Sequence, residues 1–116
     1  INWTGLGSSI LTNAYGIANN GSLFVACGSG TYKLAYSTDG MNYTAITDTI
    51  FTTGNCNSIA YGNNKFVAVG YSADNYSVAT SSDGITWTTT TSPFTQANSI
   101  CFNGSIQSLA VLNASK

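Results

Sequence analysis

One block of this chain is a near copy of another. Ile17-Ala18-Asn19-Asn20-Gly21-Ser22-Leu23-Phe24-Val25-Ala26-Cys27-Gly28 returns 42 residues later as Ile59-Ala60-Tyr61-Gly62-Asn63-Asn64-Lys65-Phe66-Val67-Ala68-Val69-Gly70. A second signature follows each copy, Ser37-Thr38-Asp39-Gly40-Met41-Asn42-Tyr43 in one and Ser81-Ser82-Asp83-Gly84-Ile85-Thr86-Trp87 in the other. A fixed period of this size marks a repeat architecture, in which each unit buries its apolar face against its neighbours.

The second unit reads as four strands, over residues 58–62, 65–71, 76–81 and 85–91. Gly62-Asn63-Asn64 supplies a tight turn between the first two, because Gly and Asn tolerate positive φ. The first unit repeats the plan at 15–19, 23–28, 32–37 and 41–46. No stretch holds a helical period over ten residues, so no helix is expected. The predicted class is all-β: tandem four-stranded antiparallel sheets of about 42 residues each, built like propeller blades.

The ends carry pieces of further units. Ile1-Asn2-Trp3-Thr4 matches Ile85-Thr86-Trp87-Thr88, a fourth strand. Ser99 to Phe102 matches the start of a unit and 106–112 its second strand. The single β-repeat domain thus divides into a partial unit at 1–14, repeat one at 15–57, repeat two at 58–98 and a partial unit at 99–116. A closed ring needs at least about four blades. An open array leaves apolar faces and strand edges uncovered. Three resolutions are open: assembly with other copies as a ring or filament, neighbouring repeats of a longer chain, or an open sheet-on-sheet stack; the expectation is one of the first two, an incomplete ring that borrows surface from another copy or from further repeats.

The shared signature Ser-X-Asp-Gly-X-X-aromatic resembles the Asp-box, or bacterial neuraminidase repeat, at residues 37–43 and 81–87, with a remnant at Ile1 to Thr4. The resemblance implies a turn between the third and fourth strands of a propeller blade. The residue types suit that role. Asp39 and Asp83 can accept backbone N–H bonds, while Ser37 and Ser81 complete the motif. Gly40 and Gly84 can adopt the left-handed conformation, and Tyr43 and Trp87 can anchor the next strand. The carboxylates read as structural clasps rather than as catalysts or calcium ligands.

The family name suggests sialidase activity, but the composition opposes it. The resemblance implies three arginines for the substrate carboxylate and a Tyr nucleophile paired with Glu, and this chain has no Arg and no Glu. Glycoside hydrolysis in general needs two carboxyl groups; with the clasps set aside only Asp48 and Asp74 remain. There is no His for a nucleophilic triad. No metal and no cofactor are expected, and the chain reads as non-enzymatic.

Charged residues make up 6% of the chain, against about a quarter in an ordinary domain. A net charge of -1 without a basic cluster argues against nucleic acid and anionic membranes. No apolar run approaches the length of a membrane span. Polarity comes from 16 Thr, 15 Ser and 13 Asn. Asn2, Asn20, Asn42, Asn75, Asn103 and Asn113 head Asn-X-Ser/Thr triplets, which makes them candidates for N-glycosylation on a secreted or surface protein; a chain of this composition also yields such triplets by chance. The cysteine spacing fits no zinc pattern. Cys27 and Cys101 read as small core residues, and a bridge between Cys56 and Cys101 is open to the chain because both lie near the start of neighbouring units.

These features point to an extracellular or surface structural glycoprotein, a self-assembling β-repeat unit of a fibre, surface layer or adhesin. The alternatives are a lectin-like module assembled from several chains, with Tyr71 and Tyr76 available to stack on sugars, and a non-catalytic segment of a larger propeller protein. The loops that a lectin would repeat differ between the units, Gly28-Ser29-Gly30-Thr31 in one and Ser72-Ala73-Asp74-Asn75 in the other, which favours the scaffold.

Overall fold

The computed structural model describes residues 10–47, 51, 54–71, 77–90 and 100. Among these residues there is no helix. Eight strands form two four-stranded antiparallel sheets, each a simple up-and-down meander. The first holds β1 (Asn13–Asn19), β2 (Phe24–Ser29), β3 (Leu34–Ser37) and β4 (Thr44–Ala45). The second holds β5 (Asn55–Gly62), β6 (Lys65–Tyr71), β7 (Val78–Ser81) and β8 (Thr88–Thr90).

The two sheets share one register. Phe24 lies opposite Ser37, Ala26 opposite Ala35 and Cys27 opposite Leu34. Phe66, Ala68 and Val69 face Ser81, Ala79 and Val78 in the same way. Both first strands carry a bulge at the same place, with Tyr15 the extra residue in β1 and Asn57 the extra residue in β5. The bulge re-phases the side chains of its strand, so β1 and β5 start earlier than alternation alone predicts. The β5–β6 hairpin turns through Asn63 (φ 54°) and Asn64 (φ 61°), the left-handed pair that a two-residue hairpin favours. β4 and β8 are shorter than the sequence suggests, because the residues before them are held in the preceding turns.

Alternation sends successive residues of each strand to opposite faces. In the second sheet Ile59, Phe66, Ala68 and Ala79 turn toward the first sheet and join Leu23, Val25, Cys27, Leu34 and Ile46 in one buried cluster. Phe66 is its centre, with the ring of Tyr61 at 4.7 Å and that of Trp87 at 6.4 Å. Each such fully buried side chain contributes about 1.5–3 kcal/mol. The other face of the second sheet carries Val67, Val69 and Val78, which pack with Ile100 and Ala60 in a second cluster. Val67, Val69 and Val78 hold the register positions of Val25, Cys27 and Leu34. The two sheets therefore stack in the same sense, face to back.

The partial units at 1–14 and 99–116 lie largely outside the described residues. Ile10 to Ala14 and Ile100 are the parts on view.

Candidate functional site

Two features repeat or stand open in the described residues: the turns before β4 and β8, and a groove on the outer face of the first sheet.

In the first turn Asp39 Oδ1 accepts the backbone N–H groups of Met41 and Asn42, both at 2.8 Å, and the Ser37 hydroxyl at 2.8 Å. Asp39 Oδ2 accepts the Asn42 side-chain amide at 2.8 Å. Ser37 Oγ in turn accepts the N–H of Gly40 at 2.8 Å. The second turn repeats the set: Asp83 Oδ1 accepts Ile85 N and Thr86 N at 2.9 Å and the Ser81 hydroxyl at 2.9 Å, and Gly84 N donates to Ser81 Oγ at 2.7 Å. Gly40 (φ 77°) and Gly84 (φ 83°) are left-handed, where any other residue is strained. Trp87 Nε1 donates to the carbonyl of Gly84 at 3.1 Å, tying the buried indole to the turn.

These carboxylates spend their acceptor capacity on their own backbone. The N–H groups of Asn42 and Met41, then the Asn42 amide and the Ser37 hydroxyl, hold the Asp39 carboxyl far below the usual range. Thr86 N–H, Ile85 N–H and the Ser81 hydroxyl lower Asp83 in the same way. Both are solvent-exposed, so the shift comes from hydrogen bonding to the charged form. Neither is tuned to move protons near neutral pH. Burial, then the nearby Asp39 charge, raises the Tyr43 hydroxyl.

A carboxyl with a lowered folded-state pKa stabilises the fold above its unfolded pKa, about 3.9, and that contribution is lost as pH falls through the folded value. Thermal unfolding followed between pH 5 and pH 2 should show the melting temperature dropping below about pH 4. The Asp39→Asn/Asp83→Asn double variant should start lower and lose most of that slope.

The two turns differ in what covers them. A Cβ on Gly84 would lie 2.6 Å from Leu23 Cδ2 and 3.2 Å from Val25 Cγ2, both in the neighbouring sheet. A Cβ on Gly40 would meet only Phe24 of its own sheet, at 3.5 Å. Nothing among the described residues occupies the position over Gly40 that the first sheet fills over Gly84. The space left is a groove of about 720 Å³, lined in part by Ile10, Ala14, Ile17, Ala26, Met41 and Tyr43.

Position by position, this groove repeats a surface that is buried in the second sheet. Ile59 is 8% exposed, whereas its counterpart Ile17 is 57% exposed. Cys56 is buried while Ala14, at the same register position opposite a glycine, is exposed. Phe66 and Trp87 are buried while Phe24 and Tyr43 are half-buried. Met41, at 64% exposure, lies at the rim.

The remaining expected site residues are scattered. Asn20 is exposed in the β1–β2 turn, its Oδ1 accepting Ser22 N and Leu23 N at 2.9 and 2.8 Å. Asn42 lines the groove. Asn2, Asn75, Asn103 and Asn113 lie outside the described residues, as do Asp48, Asp74 and Tyr76; Tyr71 is at the surface, 37% exposed. Cys56 carries a free thiol, where the sequence allowed a bridge to Cys101, and Cys101 lies outside the described residues. Burial, then the adjacent Cys27 thiol, pushes the Cys56 thiol up. That pairing of Cys27 on β2 with Cys56 on β5 was not readable from spacing, because it arises from stacking of the sheets. Among the described residues no group of three or more His, Cys, Asp or Glu could hold a metal ion. Compared with protein-family models, characterised proteins and solved structures, the chain matches none.

Proposed function

We propose that this chain is a non-enzymatic, self-associating structural protein of an extracellular, cell or virion surface, in which propeller-blade-like units of the Asp-box type stack from one copy to the next. One observation carries the reading. The face that Ile59 and Phe66 bury in the second sheet has a more open counterpart in the first, where Ile17 is exposed and Phe24 half-buried. Ile17 at 57% and Met41 at 64% exposure give this face the exposed apolar side chains of a contact surface. The carboxylates best placed for chemistry are committed to their own turns. The chain offers no Arg, Glu or His to supplement them. Low charge and the Asn-X-Ser/Thr triplets suit a glycosylated surface component.

Sedimentation velocity over a range of micromolar concentrations tests this. Oligomers or filaments that grow with concentration are expected; a compact, unglycosylated monomer throughout the range would count decisively against the reading. A carbohydrate-binding reading draws on the Tyr43 ring and the Asn42 amide in the groove and on exposed Tyr71; binding of the assembled protein to a glycan array would favour it.

A further inference from the structure

We propose that Cys27 and Cys56 form a disulfide that joins the two sheets when the protein is oxidised. The inference goes beyond self-association and asks only for the oxidising surroundings of the surface location proposed above.

The two sulfurs converge on one peptide group. Cys56 Sγ lies 3.7 Å from the carbonyl oxygen of Ser58 and 3.7 Å from that of Val69. Cys27 Sγ approaches the same stretch of β5 from the other sheet. A Cβ on Gly16 would lie 3.4 Å from this sulfur and 3.7 Å from the backbone nitrogen of Ile59. Ser58 O and Ile59 N belong to the same peptide group. The two thiols are within hydrogen-bond reach of each other. Both side chains are fully buried in the cluster between the sheets, and both are free thiols.

The repeat supplies an independent argument. Val69 holds the register position of Cys27 in the second sheet, and Ala14 holds that of Cys56 in the first. An ordinary apolar residue therefore serves at each position. Cysteine stands on both sides of the sheet-to-sheet contact at the point where the two meet, and at neither counterpart. Packing alone does not call for two thiols there.

The cross-link forms by thiol–disulfide exchange, with a low-molecular-weight disulfide as oxidant. The thiolate of one cysteine attacks it, one small thiolate leaves, and a mixed disulfide results. The second cysteine's thiolate attacks the protein sulfur of that mixed disulfide and expels the other small thiolate. The protein gives up two electrons and two protons, and the small disulfide becomes two thiols. In the closed fold burial, then the contact with Cys27, keeps the Cys56 thiol protonated, and a thiol is not the nucleophile. Exchange therefore runs while the sheets are apart, during folding, and the finished bond is shielded from external thiols. It closes a loop of about 30 residues, long enough for a substantial gain in stability.

Refolding the full chain from denaturant in a buffer of glutathione and its disulfide tests this. Remaining thiols are then alkylated and the peptides mapped without reduction by mass spectrometry. The expected product has one link, Cys27 to Cys56, with Cys101 alkylated. Its melting temperature should lie about 10 °C or more above that of the reduced protein. Dithiothreitol should cut the link at least about tenfold faster in denaturant than in the folded protein. Cys101→Ser should leave these results unchanged, whereas Cys56→Ala should abolish the link and the rise in melting temperature on oxidation. A link from Cys101 to either residue, glutathione retained on Cys27 or Cys56, or three alkylated thiols after refolding in excess glutathione disulfide would overturn the proposal. None of these results bears on self-association, which sedimentation reads separately.

Discussion

Gly70→Ala should cost this protein about 3 kcal/mol or more, above the usual range for overpacking. The expectation runs against the ordinary rule. In a strand, Gly to Ala normally stabilises by about 0.5–1 kcal/mol, because it narrows the unfolded ensemble. At Gly70 there is no room for it. A Cβ there would overlap the backbone carbonyl oxygen of Asn55 and come within 2.8 Å of the Cα of Cys56. Backbone atoms cannot rotate aside as a side chain can. The close approach is produced by the bulge at Asn57, which pulls β5 over β6 at the Cys56–Gly70 pair. Gly28 stands in the same relation to Asn13 beside the bulge at Tyr15, and Gly28→Ala should behave alike. In a domain near this size, 1 kcal/mol is worth about 4–8 °C, so both variants should melt at least roughly 12 °C lower, or fail to fold. Thermal unfolding by circular dichroism reads the effect. A neutral or stabilising result at either position would show that the bulge is not where the register places it.

The second large effect separates two residues that the sequence makes equivalent. Phe66→Ala should destabilise by about 3–5 kcal/mol, the range for a fully buried phenylalanine. Its ring is fully enclosed, between Tyr61 and Trp87 and against the side chains of the first sheet. Phe24 holds the same register position opposite the turn serine, yet it is half-buried because no sheet covers it among the described residues. Phe24→Ala in the dilute protein should therefore cost less than half as much. The gap should narrow at concentrations where the protein assembles, since the partner sheet then covers Phe24. Urea denaturation of both variants at two protein concentrations checks this. Equal costs under all conditions would remove the asymmetry on which the contact surface depends.

Much of the fold is legible in the sequence because its signals are local. Asn63-Asn64 and the paired Ser-X-Asp-Gly stretches fix the turns by backbone conformation and side-chain acceptors. Phe66 to Gly70 marks β6 as a central strand by being apolar throughout, as a strand covered on both faces must be. What was not legible is non-local or interrupts a period. Tyr15 and Asn57 break the alternation of β1 and β5, so the first residues of those strands fall out of phase. The reach of the turn bonds to Asn42 and Thr86 shortens β4 and β8. The neighbouring thiols of Cys27 and Cys56 arise from two sheets stacking, and no spacing along the chain encodes that. The groove is the clearest case. Ile17 and Ile59 are the same letter in the same motif, and only the stacking order makes one of them surface.

Hydrogen exchange read by mass spectrometry, on the wild-type protein at dilute and assembling concentrations, examines the contact face directly. Amides of residues 14–18 and 41–45, which border the groove, should gain protection as concentration rises, while those of the β5–β6 turn at 62–65 exchange alike in both samples. Unchanged exchange at 14–18 and 41–45 in a sample that has assembled would contradict the account.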